Sequence, residues 1–290
     1  MNYSLDALWW RLTHPDVRAL ASLLTAPALW HTGCELPVRL LLGEKGFRCL
    51  LDWDEHPEAL VAHLAQEQPF GYRLGKYAES LLAFWFAHAP HSELLAREVV
   101  LKNANGESFG ALDFLVRLNG LPYHVELTCK YYGAQDGSRL EQVVGVNAQD
   151  RLLDKSDKLA VQLAHGQHPA SVVALAGLGI RNEALSSVSI VRGMLFSGEP
   201  HQAVQPVNQG AWLGGYVSDW ADCPLLSEER RYYVIPRMEW MAPARVDAQS
   251  CLSSQQVSAV EQGLVAVLEQ RPDGYWHEIG RLMKVSGDRK

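Results

Sequence analysis

The sequence predicts a mixed α/β fold of the α+β type, with a core ordered helix, three-stranded antiparallel meander, helix, strand. Three observations predict it. Two long segments, residues 72–88 and 148–164, keep their apolar side chains at helical spacing. Between them, residues 97–101, 110–118 and 122–131 read as strands. Asn119-Gly120 joins the last two, and such a pair is the strongest short-range hairpin signal because both central residues of a type I′ turn need positive φ.

The elements follow in order. The first seventy residues read as a helical extension: His14 precedes Pro15 at a first helical position, Asp16 complements the helix dipole, and Val17, Leu20 and Leu24 form a stripe that ends before Pro27. His56-Pro57-Glu58 repeats that grammar. In the segment 72–88 the apolar positions are Leu74, Tyr77, Ala78, Leu81, Leu82 and Trp85, with Glu79 set inside the pattern. An acid there is ordinarily a solvated edge residue.

After the meander, Asn147 is the expected N-cap of a helix over 148–164, whose Leu152, Leu159 and Leu163 face a core. Its polar side holds Arg151, Lys155 and Lys158 beside Asp150, Asp154 and Asp157, the pattern of a salt-bridged solvated face. Residues 189–196 read as the closing strand, and 211–217 and 231–235 as further strands. Ser253-Ser254-Gln255-Gln256 reads as a capping box opening a terminal helix that carries Val257, Val260, Leu264 and Val267 and stops at Pro272. The expected organisation is 1–70 helical, 71–200 core and 201–290 a mixed strand and helix extension packed with the core as one unit.

Composition narrows the class. With 290 residues, 48% of them hydrophobic, the chain can bury one large core or two modest ones. Its five cysteines are odd in number, scattered and without a C-x-x-C, which argues for a reducing compartment and against a zinc ribbon. Neither a signal peptide nor a membrane-length apolar run is legible, so the expectation is a cytoplasmic protein without a membrane partner. A formal net charge of −7 means that any nucleic-acid binding must use a local basic groove.

The hairpin register carries the chemistry. If Leu118 faces Leu121, Asp113 faces Glu126 in a non-hydrogen-bonded pair, with Cα atoms about 4.5 Å apart. By alternation Asp113 shares its face with Ala111, Leu115 and Arg117, and Glu126 shares its face with His124, Thr128 and Lys130. The opposite face, with Leu112, Phe114, Val116, Val125, Leu127, Cys129 and Tyr131, is the expected core face. Like charges directly opposite across strands are destabilising, so something must offset the pair. A divalent cation is one solution; Lys130 or a shared proton are others. A self-neutralising Asp–Glu–Lys cluster on a half-exposed sheet is the competing reading.

The segments Arg73-Leu74-Gly75-Lys76-Tyr77-Ala78-Glu79, Gly110-Ala111-Leu112-Asp113, Val125-Glu126-Leu127-Thr128-Cys129-Lys130 and Asn147-Ala148-Gln149-Asp150 resemble those of an uncharacterised bacterial family of unknown function related to the PD-(D/E)XK, or restriction-endonuclease-like, nuclease superfamily. The likeness to the small family extends over most of the chain, and the superfamily pattern covers about 72–196. The resemblance implies a restriction-endonuclease-like core and a divalent-metal-dependent nuclease, with Mg²⁺ or Mn²⁺ as cofactor and nucleic acid, DNA ahead of RNA, as partner. It implies Asp113, Glu126 and Glu79 as metal ligands and Asp113, Glu126 and Lys130 as catalytic residues. Thr128, Gln149, Lys155 and Lys158 are further candidates for holding water or substrate. One departure stands out: the superfamily places lysine two residues after the glutamate, where this chain has Thr128. Lys130 lies about 13 Å from Glu126 along the strand at roughly 3.3 Å per residue. The alternative function is therefore a catalytically inactive nuclease-fold protein that binds nucleic acid or a protein.

Overall fold

A computed structural model describes residues 11–180, 185–199 and 204–286. The first ten residues of the expected helical extension therefore lie outside the described residues. The described residues contain eight α-helices: α1 (Pro15–Thr25), α2 (Val38–Leu42), α3 (Gly46–Glu55), α4 (Glu58–Glu67), α5 (Leu74–His88), α6 (Leu152–Ala164), α7 (Pro169–Ala176) and α8 (Ser254–Val257). The strands are β1 (Ser92–Lys102), β2 (Ser108–Leu118), β3 (Leu121–Ala134), β4 (Val144–Gly145), β5 (Ser186–Ser197), β6 (Trp212–Val217), β7 (Arg231–Ile235), β8 (Arg245–Val246), β9 (Gly263–Gln270) and β10 (Trp276–Lys284). They form a mostly antiparallel sheet in the order β1-β2-β3-β5-β6-β10-β9-β7, with β4 on β3 and β8 on β10. The pairs β5 with β6 and β6 with β10 are parallel.

The chain divides into two compact units, Met1–Cys129 with Lys155–Arg192, and Lys130–Asp154 with Gly193–Lys290. In the first, α1 begins at Pro15 with His14 as its N-cap residue and ends at Ala26, in agreement with the Pro grammar. The buried Arg192 guanidinium donates to Leu23 O (2.9 Å), so a cation meets a carbonyl in the last turn of α1, where the helix dipole favours positive charge. Helix α5 is apolar enough to be almost wholly buried: Trp53 packs edge-on against Phe84 and Trp85, Trp85 Nε1 donates to Leu41 O, and Phe86 meets Phe114 of β2.

In the second unit, Tyr232, Trp220, Val217, Val265, Val267 and Leu282 form a core. Here two expectations fail. The capping box forms, with Ser253 and Gln256 bonding reciprocally, but the helix it opens lasts only from Ser254 to Val257. Residues 263–270 are instead strand β9, paired with β10 on one side and β7 on the other. A central strand covered on both faces reads as a continuous apolar run, and Leu264, Val265, Ala266, Val267 and Leu268 are all buried. Such a run satisfies helical spacing as easily as strand spacing. Asn147 is likewise not a helix cap. It closes a tight turn, accepting from Asp150 N through its carbonyl and from Gln149 N through its side chain, and α6 begins five residues later at Leu152.

Gly193 opens the second unit's part of β5 at φ +131°, and a Cβ there would stand 1.6 Å from Lys130 O. Gly193→Ala is expected to cost at least about 3 kcal/mol in chemical denaturation, from strain and backbone collision together. Gly280→Ala, where a Cβ meets nothing within 4 Å, is expected to stay within about 1 kcal/mol of wild type.

Candidate functional site

The hairpin that closes on Asn119 (φ +49°) and Gly120 (φ +84°) has the register read from its turn, from Leu118↔Leu121 to Phe114↔Val125. There the pairing stops, although β2 and β3 both continue. Asp113 and Glu126 are the next residues on each strand, so the two acids stand at the fork where the ladder opens. Their carboxylates replace ladder carbonyls: Asp113 N donates to Glu126 Oε1 (3.3 Å), and Leu127 N donates to Asp113 Oδ2 (3.0 Å). On the other side of β2, pairing with β1 skips Glu98 and Asp113 between Arg97↔Phe114 and Val99↔Leu112, and Glu98 takes φ +52°. This irregularity breaks the alternation, because Leu112 and Leu115 pack in one cluster with Leu175 and Leu185 while Phe114 faces α5. The expected half-exposed acid face is therefore corrected: His124 and Glu126 are 0% exposed and Thr128 is buried, so the sheet is covered on both sides here.

Glu126 is held by three donors. His124 Nε2 lies 2.7 Å from Oε1, which also receives the Asp113 amide, and Gln162 Nε2 donates to Oε2 at 2.9 Å. The Asp113 and Glu126 carboxyls act on each other at close range, an arrangement that a shared proton or a cation would relieve. Burial, and next to it the charge of Glu126, push Asp113 up to about 7. Glu126 is likewise raised to about 7 by burial, against hydrogen bonds from Asp113 and attraction to Lys155. Burial lowers His124 to about 4, so its imidazole is neutral.

Among the sequence candidates, the structure brings Asp113, Glu126 and Lys155 together. Lys155 acts electrostatically on both acids. It shares a helix face with Leu159 and Gln162 at i, i+4 and i+7, whereas Lys158 is exposed. Glu79 is near enough to feel Asp113, but Lys76 bonds it at 2.7 Å and also bonds Glu98. Desolvation raises Glu79 against that pairing. Lys130 does not reach toward the fork to serve the acids; its ammonium donates to Asp150 Oδ2 at 2.6 Å, and Tyr132 donates to Asp150 Oδ1. Gln149 lies exposed in the turn closed by Asn147. His124 and Gln162 received no role from the sequence. The available signals were His124 two residues before Glu126 and Gln162 two helical turns after Lys155.

Residues 10–285 match a domain of unknown function, DUF1853. The chain belongs to the DUF1853 family. No curated protein matches it, and no solved structure does.

In this DUF1853 chain the groups at the fork that could hold a hard divalent cation are the carboxylates of Asp113 and Glu126. Oxygen ligands of this kind are those that Mg²⁺ uses while retaining several waters. Gln162 Oε1 and Thr128 Oγ1 are buried oxygens without a hydrogen-bond partner among the described residues. No group of three or more His, Cys, Asp or Glu among the described residues is arranged to hold a metal ion, so Glu79 does not complete a ligand set with the two acids. No helix among the described residues is long and apolar enough to cross a membrane.

The raised acids set a pH dependence. Between about pH 4 and 7 the unfolded chain releases protons that the folded chain keeps, so this contribution to stability is present at low pH and is lost as pH rises through 7. In chelator-treated protein, Asp113→Asn is expected to flatten this slope and to raise Tm at pH 8. The gain should be roughly 1 kcal/mol or more, at about 2–4 °C per kcal/mol for a chain of this size. Calorimetry at pH 5 and pH 8 checks both.

Proposed function

We propose that the fork of β2 and β3 is the active site of a divalent-cation-dependent phosphodiesterase that cleaves nucleic acid, on a restriction-endonuclease-like core. The observation that carries this reading is the placement of Asp113 beside the buried Glu126 where the ladder opens, each carboxyl accepting a backbone N–H of the facing strand, in the field of Lys155. The succession α5, β1, β2, β3, α6, β5 supports it, with the short β4 before α6 and α7 after it as additions to the order that the PD-(D/E)XK resemblance implies.

Phosphodiester hydrolysis needs an activated water and compensation for charge that grows on the phosphoryl and leaving oxygens. Asp113 and Glu126 would hold Mg²⁺ or Mn²⁺, which supplies a polarised phosphate and a more acidic bound water. Lys155 would take the electrostatic part that the resemblance implies for Lys130, because Lys130 is committed to Asp150. Gln162 would orient Glu126 through its amide. Glu79 would serve as a further ligand only on leaving Lys76.

One observation favours a second reading, a nuclease-fold protein that binds nucleic acid without cutting it. Both Glu126 oxygens already have protein donors, which leaves that carboxylate less available to a cation.

The test is incubation with supercoiled, linear and single-stranded DNA and with RNA, in Mg²⁺ and in Mn²⁺. Expected is cleavage by the wild type that falls at least about 100-fold in Asp113→Ala, in Glu126→Ala and in Lys155→Met, with Lys130→Met within a few-fold of wild type. Nucleic-acid binding without any Glu126-dependent cleavage would establish the second reading instead.

A further inference from the structure

Behind the fork lies a line of groups that the mechanism above does not use. His124 is wholly buried between two partners: its Nε2 is 2.7 Å from Glu126 Oε1, and its Nδ1 is 3.1 Å from Ser187 Oγ at the start of β5. The proton positions follow from the chemistry. With Glu126 ionised, as cation binding requires, its oxygen only accepts, so Nε2 carries the ring proton and Nδ1 can accept from the Ser187 hydroxyl.

Gly166 leaves the room for this contact. A Cβ at position 166 would stand 2.2 Å from Ser187 Oγ and 2.8 Å from His124 Nδ1, so any larger residue must displace one of them. Three segments distant in sequence thus converge on one imidazole: β3 carries it, β5 supplies the hydroxyl, and the turn after α6 makes the space.

We infer that Ser187, His124 and Gly166 form a positioning relay that fixes the Glu126 carboxylate for cation binding. The inference rests on the proposed cation-dependent site and deepens it. Ser187 holds His124 in the Nε2–H tautomer. That N–H occupies one lone pair of Glu126 Oε1 and sets the carboxylate plane, so the one lone pair left by the three donors, on Oε2, is directed rather than free to rotate. Outer partners of this kind commonly change metal affinity about 10- to 100-fold when removed. His124 and Ser187 are positioning residues; neither touches the reacting atoms.

The test uses the full chain and Mn²⁺ alone as the probe, with affinity read by electron paramagnetic resonance. It also reads the His124 ring nitrogens by ¹⁵N NMR in metal-free protein. Expected are an Nε2–H tautomer in the wild type, loss of Mn²⁺ binding in Glu126→Gln, and about 10- to 100-fold weaker binding in His124→Ala. His124→Gln, which keeps a donor near the position of Nε2, should recover most of the affinity. Ser187→Ala and Gly166→Ala should each weaken binding several-fold and shift the tautomer ratio toward Nδ1–H.

If Glu126→Gln abolishes binding while His124→Ala binds like the wild type, the relay is overturned and the cation site stands. If the wild type binds no Mn²⁺, or Glu126→Gln binds as well as wild type, the site and the relay fall together. Should His124→Ala not fold, Ser187→Ala decides: unchanged affinity with an unchanged tautomer overturns the relay.

Discussion

Two carboxyl groups pressed together inside a protein repel each other and lose their hydration, and much of the first unit is arranged around that cost at Asp113 and Glu126. The sheet gives up a regular ladder where they meet, and backbone amides of the facing strands bond the acids instead. Helix α6 turns Lys155 and Gln162 toward them, and His124 closes the network from the strand itself. Each partner is polar, and together they come from β2, β3 and α6. A buried polar network is stable only when its members are satisfied, which makes the remaining orphan oxygens at Gln162 and Thr128 the informative ones.

Charge placement separates this site from the pattern it resembles. Thr128 stands where a lysine is expected, and Lys130 is tied to Asp150 in the second unit. A positive charge near the acids is nevertheless present, delivered by a helix in place of the strand. For the proposed phosphodiesterase the substitution is physically reasonable: a lysine on a packed helix face has a long, flexible stem, and what a phosphoryl group needs is positive potential rather than a particular backbone origin. Glu79 illustrates the opposite case. It occupies the helix position that the pattern implies, yet Lys76 neutralises it locally, so it contributes field to the acid pair and no ligand contact.

The readings that succeeded were local ones. The Asn119-Gly120 turn sets the hairpin register because two positive-φ residues admit few loop geometries; the ladder keeps that register as far as Phe114↔Val125, and Asp113 and Glu126 stand next beyond its end and not in the expected ladder pair. Pro15 and Pro27 bracket α1 through the fixed proline φ and the missing amide. The readings that failed depended on what lies across the fold. Residues 263–270 meet helical spacing, but two neighbouring strands claim them for the sheet. Asn147 suits a helix cap, but a tight turn uses its oxygens first.

What the sequence by itself determined is the meander, its register and the nearness of two acids, because turn chemistry and side-chain alternation act over a few residues. Only the tertiary structure decided that the acid face is buried, that Lys155 rather than Lys158 accompanies it, and that His124 and Gln162 secure Glu126. Burial and hydrogen bonding between β3, α6 and β5 join residues some 36 to 63 positions apart, and no local pattern encodes which of several plausible side chains will meet.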